Sequence, residues 1–455
     1  MIVLKFGGTS VGSPESLRKA VEIVESVSDR SPIVVVSALS GVTNRLVDAV
    51  EAAADGDLEK ARKAAADIRK RHEEIAWELV IQKSDFLESF TSQLERHVEE
   101  ITTILEGAGL LHEVTLRARD KIVAIGEKLS SVLFAYTMMT KKLNGVAVDS
   151  ENVIVTNEEF GNADPLMPET RKAAREHLVP EVERGHIPVI GGYVGRSKGG
   201  ATTTLGRGGS DYSAAIIGAA VDCEEIQIWT DVDGMMTTDP RVISEARVID
   251  LISYDEAAEL AYFGAKVLHP KTIAPAVENE IPIRVKNTHN PSGEGTLITR
   301  TGKGTGAEPR AVVMKRGITV IDVTSPDMLG VSGMLARIFD VFGRHGVSVD
   351  VVSTSEVSVS ATFDRPEMID ALAGDLERFG DVTAHRDQVL IGVVGRELLS
   401  HPRSGWRVFE ALTDVPITLV SLASAGVNMC IVVSEEDADR ALRQIHSSIF
   451  EGSNE

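Results

Sequence analysis

The chain has 455 residues, 43% hydrophobic and 25% charged, and its 68 acidic against 47 basic residues give a formal charge of −21. That length accommodates two to four domains, and an acidic balance with no basic block excludes a general nucleic-acid or anionic-membrane binder, though not a local anion pocket. Cys223 and Cys430 lie far apart in no CxxC or Cys/His spacing, which excludes a disulfide framework or zinc site; with no signal-peptide pattern and no 18-residue apolar segment, the expected compartment is the cytoplasm.

Ile2–Phe6 predicts a short apolar strand, followed by the loop Gly7-Gly8-Thr9-Ser10 and an amphipathic helix over Pro14–Ser26. Pro32–Ser37 is a continuous apolar run, the pattern of a strand buried on both faces of a parallel sheet, so the three elements form a βαβ unit. Leu58–Leu105 is long, charged and helical in period, and reads as a helical excursion from the sheet. The alternating rhythm resumes at Val146–Asp149, Pro188–Gly192, Glu225–Thr230 and Pro282–Val285, and the Gly/Thr-rich stretch Thr288–Pro309 reads as a linker.

Beyond it, two segments repeat at an offset of about 70 residues. Ile318–Val323, Gly333–Arg344, Val347–Ser353, Val357–Phe363 and Pro366–Phe379 run strand, helix, strand, strand, helix. Val389–Val394, Ser404–Thr413, Ile417–Leu422, Val427–Val433 and Glu435–Phe450 repeat that order, a doubled ferredoxin-like βαββαβ unit. The second copy lacks its last strand, which Arg310–Lys315 can supply if the first copy is inserted into the second.

Thr203–Ala215 carries the densest chemistry, three glycines with Arg207, Ser210 and Asp211 ahead of an Ala/Ile-rich helical run. A glycine turn opening a helix aims unpaired N–H groups and the positive dipole end at an anion, and a guanidinium grips a carboxylate or phosphate in two places. Asp211 repels an anion and is read as the holder of a catalytic cation or of Mg²⁺; the plain alternative for the motif is a capped glycine turn. Lys5 ends the first strand before Gly7-Gly8, at the end of the sheet where open α/β folds bind ligands, in neither a Walker A nor a GxGxxG arrangement. Ser37–Asn44 offers hydroxyls for a small polar substrate or an ordinary helix cap, and Glu127 opens a helix, where a carboxylate also complements the dipole. Trp229–Gly234 and Thr237–Arg241 put bulky and acidic groups at a strand end, suited to a base and ribose; His269 reads as a structural helix-end residue.

KFGGTSVG at Lys5–Gly12, SALSGVTN at Ser37–Asn44, LGRGGSDYSAA at Leu205–Ala215, WTDVDG at Trp229–Gly234, TTDPR at Thr237–Arg241 and FGAKVLHP at Phe263–Pro270 together resemble the aspartokinase family, in that family's order. The C-terminal repeat resembles its paired ACT domains, in the single-function form. The resemblance implies an α/β fold: an amino-acid-kinase (carbamate-kinase-like) doubly wound sheet domain over 1–300, with a helical excursion at about 58–118, then two ferredoxin-like ACT domains, 318–387 and 310–317 plus 388–455. It implies phosphorylation of the side-chain carboxylate of L-aspartate by ATP with Mg²⁺ carried on the nucleotide, the first step of aspartate-family amino-acid biosynthesis.

By motif, Lys5 is implied to neutralise the transferring phosphoryl group, Asp211 to orient Lys5, and Gly7 and Gly8 to cradle phosphate. Arg207 is implied to hold the α-carboxylate and Glu127 the amino group of aspartate, in a pocket completed by Ser37, Thr43, Gly208, Gly209 and Ser210. Thr230, Asp231, Arg241 and Lys266 are implied to contact ATP, with Met236 where the family commonly has an aromatic residue. Met328, Gly333, Met334, Leu335, Ser348, Val349, Asp350, Thr354 and Ser355 resemble an effector segment, closer to lysine-inhibited than to threonine-inhibited members, and ACT repeats imply a homodimer or homotetramer. The alternatives are a related kinase for another carboxylate substrate and a non-catalytic ACT amino-acid sensor.

Overall fold

The structure, a computed structural model, describes residues 1–80, 84–263, 268, 270–302, 309–329, 331–396, 398, 402–422 and 427–451. The chain forms two compact units, Met1–Met235 with Val267–Gly302, and Met236–Lys266 with Lys303–Glu455. Residues 236–266, placed by the sequence reading in a catalytic domain ending at 300, therefore group with the C-terminal repeat. The backbone explains why: Val312 N–H donates to Thr237 C=O at 2.8 Å and Arg396 N–H to Glu256 Oε1 at 3.0 Å. The Phe263 ring lies so close to Gly392 that a Cβ there would come within 2.6 Å of it.

In the first unit the strands β1 (Ile2–Phe6), β2 (Pro32–Val36), β3 (Gly145–Val148), β4 (Ile187–Gly191), β5 (Ile226–Thr230), β6 (Ile283–Asn287) and β7 (Thr296–Thr299) lie in the order β3-β4-β2-β1-β5-β6-β7. All neighbours are parallel except the β6–β7 hairpin. β1 and β2 are buried along their whole length, which is why they read as unbroken apolar runs. The order reverses at β1, so a crevice is expected outside the carboxyl ends of β1 and β5. Lys5 stands opposite Ile228 in that register and Phe6 opposite Trp229.

Helix α1 (Pro14–Ser26) begins where Ser13 Oγ accepts from Ser16 N–H at 3.1 Å, with proline at its first position. The helical excursion consists of α2 (Val42–Ala54), α3 (Leu58–Val80), α4 (Ser84–Leu111), α5 (Leu116–Val123) and α6 (Ile125–Thr140). Two expectations are corrected. The stretch read as a linker contains β7, whose alternating burial closes a hairpin on β6 through the Gly/Asn/Pro-rich turn before it. The span Leu116–Thr140 is apolar enough over 18 residues to meet a membrane-length criterion, and 78% of that window is buried in this fold. Phe134 of α6 stacks on Phe6 of β1 at 5.6 Å between centroids, so this apolarity serves the core.

The second unit is built on an antiparallel sheet of β8 (Ala311–Thr324), β9 (Val352–Thr354), β10 (Ser358–Phe363), β11 (Asp381–Val394), β12 (Leu419–Leu422) and β13 (Asn428–Ser434), ordered β9-β10-β8-β11-β13-β12. β8 is shared: Ala311–Lys315 pairs with Leu390–Val394, while Thr319–Thr324 pairs with Ser358–Phe363 on its other side. The irregularity after Lys315 falls at Gly317, whose φ of 74° suits glycine. Two cores result, one around Ile338, Phe342, Phe363 and Leu372, the other around Ile391, Ile431, Leu442 and Ile445.

Candidate active site

At the carboxyl end of β1, Lys5 Nζ lies 2.6 Å from Asp211 Oδ1, and both side chains are mostly buried. The helix carrying Asp211, Gly209–Val221, starts on Gly208 with φ 71°, so an N-cap that only glycine adopts cheaply leaves the first N–H groups unobstructed. Gly192 packs on the same turn, where a Cβ would fall 2.7 Å from that of Ser210. Across the opening, Gly7 N–H is held by Trp229 C=O at 3.1 Å and Ser37 N–H by Phe6 C=O at 3.0 Å, which fixes the ends of β1, β2 and β5 together.

These elements enclose a cleft of about 680 Å³. Lys5, Gly7, Gly8, Ser37, Thr43, Glu127, Arg207, Gly208, Gly209, Ser210, Asp211, Thr230 and Asp231 all line it, though they come from five separate stretches of chain. Glu127 is buried, and its Oε2 has no hydrogen-bond partner. Burial pushes its carboxyl up to about 8, against hydrogen bonds from Ala38, its own backbone and Thr43 that favour the charged form. A buried acid with one free oxygen is poised to accept from a cationic ligand group. Arg207 is exposed between two glycines of positive φ and has no ion pair among the described residues. These motif residues thus offer a cation paired with a carboxylate, a guanidinium without an ion pair among the described residues, and an acid held protonated by burial.

Arg119, Tyr193 and Gly161 also line the cleft, and the sequence motifs did not mark them. Tyr193 had a readable signal, since it follows Gly191-Gly192 at a strand end; it adopts φ 67°, and its N–H donates to Ser213 Oγ at 2.8 Å. Arg119 sits in an ordinary charged helical turn and had none. Trp229 is a core residue stacked on Phe6, its indole N–H bonded to Gln227.

Other candidates lie elsewhere. Met236 and Arg241 belong to the second unit and do not line this cleft. Met236 forms a bridge with Val248, and the Arg241 guanidinium, 88% exposed, chelates Asp239 at 2.7 Å. Lys266 and His269 lie outside the described residues. In the segment expected to bind an effector, Met328 is buried in the core around Ile338 and Phe342, and Gly333 (φ 80°) caps the helix Met334–Arg344, where Met334 is half-buried and Leu335 exposed. Ser348 and Thr354 are exposed, Val349 is half-buried, and the Ser355 hydroxyl meets that of Ser358 at 2.7 Å. Asp350, 6% exposed, is already paired with Lys315 at 3.0 Å, and Lys315 also reaches Asp364 and stands over the Tyr262 ring. Among the described residues, no group of three or more His, Cys, Asp or Glu side chains is placed to hold a metal ion. The buried thiols of Cys223 and Cys430 are free, both pushed up to about 12 by burial.

Residues 1–287 match the amino acid kinase family, and residues 321–373 and 391–449 match the ACT domain. Aspartokinase 3, chloroplastic, of Arabidopsis thaliana is 36% identical over 99% of this chain and 81% of its own length. The chain belongs to the aspartokinase family. Its fold matches that of E. coli aspartokinase III, 34% identical, in complex with lysine and aspartate (T-state), with a TM-score of 0.83 over 99% of both chains. It also matches the same enzyme in complex with aspartate and ADP (R-state), with a TM-score of 0.82 over 99% of this chain and 100% of that one. The doubly wound kinase sheet followed by paired ACT modules is thus the aspartokinase architecture in both sequence and fold.

Proposed function

We propose that the cleft binds L-aspartate beside ATP and transfers the γ-phosphoryl group to the β-carboxylate, giving 4-phospho-L-aspartate and ADP. The observation that carries this reading is the meeting, in one cleft, of the Lys5–Asp211 pair, Arg207 without an ion pair among the described residues, and Glu127 with its Oε2 unpartnered. Family membership and the likeness to an enzyme solved with aspartate and ADP support it.

The acceptor oxygen is already ionised at neutral pH, so no general base is required. It attacks the γ-phosphorus, an O–P bond forms, the bond to the β,γ-bridging oxygen breaks, and ADP leaves with that electron pair. Positioning and charge stabilisation then carry the rate. Lys5, aimed by Asp211, supplies positive charge to the transferring group, and the backbone at Gly7 and Gly8 lets phosphate approach closely. Arg207 takes the α-carboxylate, Glu127 the ammonium, and Ser37, Thr43 and Ser210 the remaining polar contacts. Thr230 and Asp231, at the end of β5, are assigned to the nucleotide side of the cleft. Mg²⁺ fits this donor set as a companion of the nucleotide phosphates, because Asp211 is engaged by Lys5; when bound it offsets phosphate charge.

Feedback inhibition through the ACT unit, by lysine in preference to threonine, belongs to the same reading, and the lysine-bound relative supports it. A homodimer or homotetramer assembled through the ACT domains, in the cytoplasm, completes the proposal. Trapping the acyl phosphate with hydroxylamine tests the reaction: aspartate and ATP should give a hydroxamate, and glutamate far less. ATP turnover that does not depend on aspartate would overturn the assignment.

A further inference from the structure

Helix α5 places two adjacent side chains at the cleft, and they behave oppositely. Asp120 is buried and fully engaged: its Oδ2 accepts from the backbone N–H groups of Gly161 and Thr204, each at 2.9 Å, and its Oδ1 from the Thr204 hydroxyl at 2.8 Å. Those bonds tie α5 to Gly161, which lines the cleft, and to Thr204, three residues before Arg207. Burial raises the Asp120 carboxyl above its ordinary range, and the three donors oppose that shift. Arg119, beside it, lines the same cleft, is half-buried, and its guanidinium has neither a hydrogen bond nor an ion pair among the described residues.

The charges in the cleft sort accordingly. Lys5 is neutralised by Asp211. Arg207 and Arg119 are the lining cations without a carboxylate partner among the described residues. Holding a partly desolvated guanidinium without a partner costs stability unless a ligand anion completes it, and two guanidiniums match the geometry of a planar carboxylate better than one ammonium does. Glu127 follows Arg119 by eight residues, in the helix directly after α5, so Arg119 stands on the stretch of chain that carries the group proposed for the substrate amine.

We infer that Arg119 is a second anchor for the α-carboxylate of the amino-acid substrate and, with Arg207, determines specificity for a free α-amino dicarboxylic acid, while Asp120 is the positioning residue that holds Arg119 and the Arg207 loop in register. The inference rests on the aspartate reading of the cleft. An uncharged head group, as in the α-amide of aspartate, leaves both guanidiniums unpaired and is rejected on that account.

Steady-state kinetics on the full chain test it, with Arg119→Gln and Arg119→Lys compared with wild type on L-aspartate, on its α-amide and on ATP. Arg119→Gln should raise KM for aspartate at least ~10-fold, about 1.4 kcal/mol, while KM for ATP moves less than ~2-fold. Its preference for aspartate over the α-amide should shrink in the same proportion, and Arg119→Lys should recover part of both. Three results overturn the inference: an unchanged KM for aspartate, equal rises for both substrates, or an intact preference against the α-amide. If wild type phosphorylates aspartate and one of these is seen, only the Arg119 assignment fails. A wild type that does not phosphorylate aspartate removes the underlying reading as well.

Discussion

Lys5 and Glu127 show how little of a residue's chemistry is in its identity. Lys5 becomes a directed charge because Asp211 holds it at 2.6 Å with both side chains largely out of water. Lys5→Ala should therefore lower kcat by roughly 10²–10³-fold, about 3–4 kcal/mol of transition-state stabilisation, with a much smaller change in KM for ATP. A variant with normal kcat and weaker ATP binding would make Lys5 a ground-state contact. Glu127 carries a pH signature. Its carboxyl is pushed up to about 8 from 4.5, so in the free protein it is protonated at neutral pH, and pairing with the substrate ammonium requires the proton to leave. Below about pH 8, KM for aspartate should rise by up to ~10-fold per unit of acidification and level off above it, with a proton released on binding. Calorimetric titrations of aspartate in buffers of different ionisation heat measure that proton, and Glu127→Gln should abolish the dependence. Both residues stood in recognisable motifs; their pairing and burial did not, because each depends on chain more than 80 residues away.

Elements explain what the sequence made legible and what it concealed. The strands were readable because a sheet covered on both faces demands unbroken apolar runs, and β1, β2 and β4 are buried throughout. β7 was concealed in a Gly/Thr-rich stretch because a four-residue antiparallel strand needs only alternate burial, which Thr296 and Ile298 supply. Helix α3 contains a testable element-scale cost. His72 is fully buried on it, with Nδ1 bonded to Ile68 C=O and Nε2 without a partner, and burial pushes it down to about 4 from 6.5. The unfolded chain thus binds a proton that the folded one refuses between those values, and stability contributed by neutral His72 is lost as pH falls through that window. At pH 5 the loss is about 2 kcal/mol relative to neutral pH. Thermal unfolding at pH 7 and pH 5 should show His72→Leu losing less than wild type between the two; equal losses would place the acid sensitivity elsewhere.

At the scale of the whole molecule, regulation is the quantity to test. An effector bound to the ACT unit can inhibit only by binding one arrangement of the protein more tightly than another. A carboxylate at Asp350, in the effector-like segment, suits the second ammonium that lysine has and threonine lacks, and the structure already supplies it with an internal cation, Lys315 at 3.0 Å. A lysine effector must therefore share or displace that pair. Asp350→Ala should leave turnover without effector near the wild-type value and raise the inhibitory lysine concentration at least ~10-fold, about 1.4 kcal/mol. Dose–response curves with lysine and threonine decide it. Unchanged lysine inhibition, or a wild type answering only to threonine, removes the Asp350 assignment while leaving the kinase assignment intact.

Motifs and periodicity by themselves determined the class of fold, the doubled ACT repeat and the family, because glycine turns, buried strands and repeated elements are local patterns that one stretch of chain carries alone. Only the tertiary structure decided that residues 236–266 group with the C-terminal unit, that Asp350 is paired from within, and that Arg119 and Tyr193 reach the cleft. Each of those outcomes depends on which distant partner occupies the space and hydrogen-bonding capacity beside a residue, and that is set by packing across the fold rather than by neighbours in sequence.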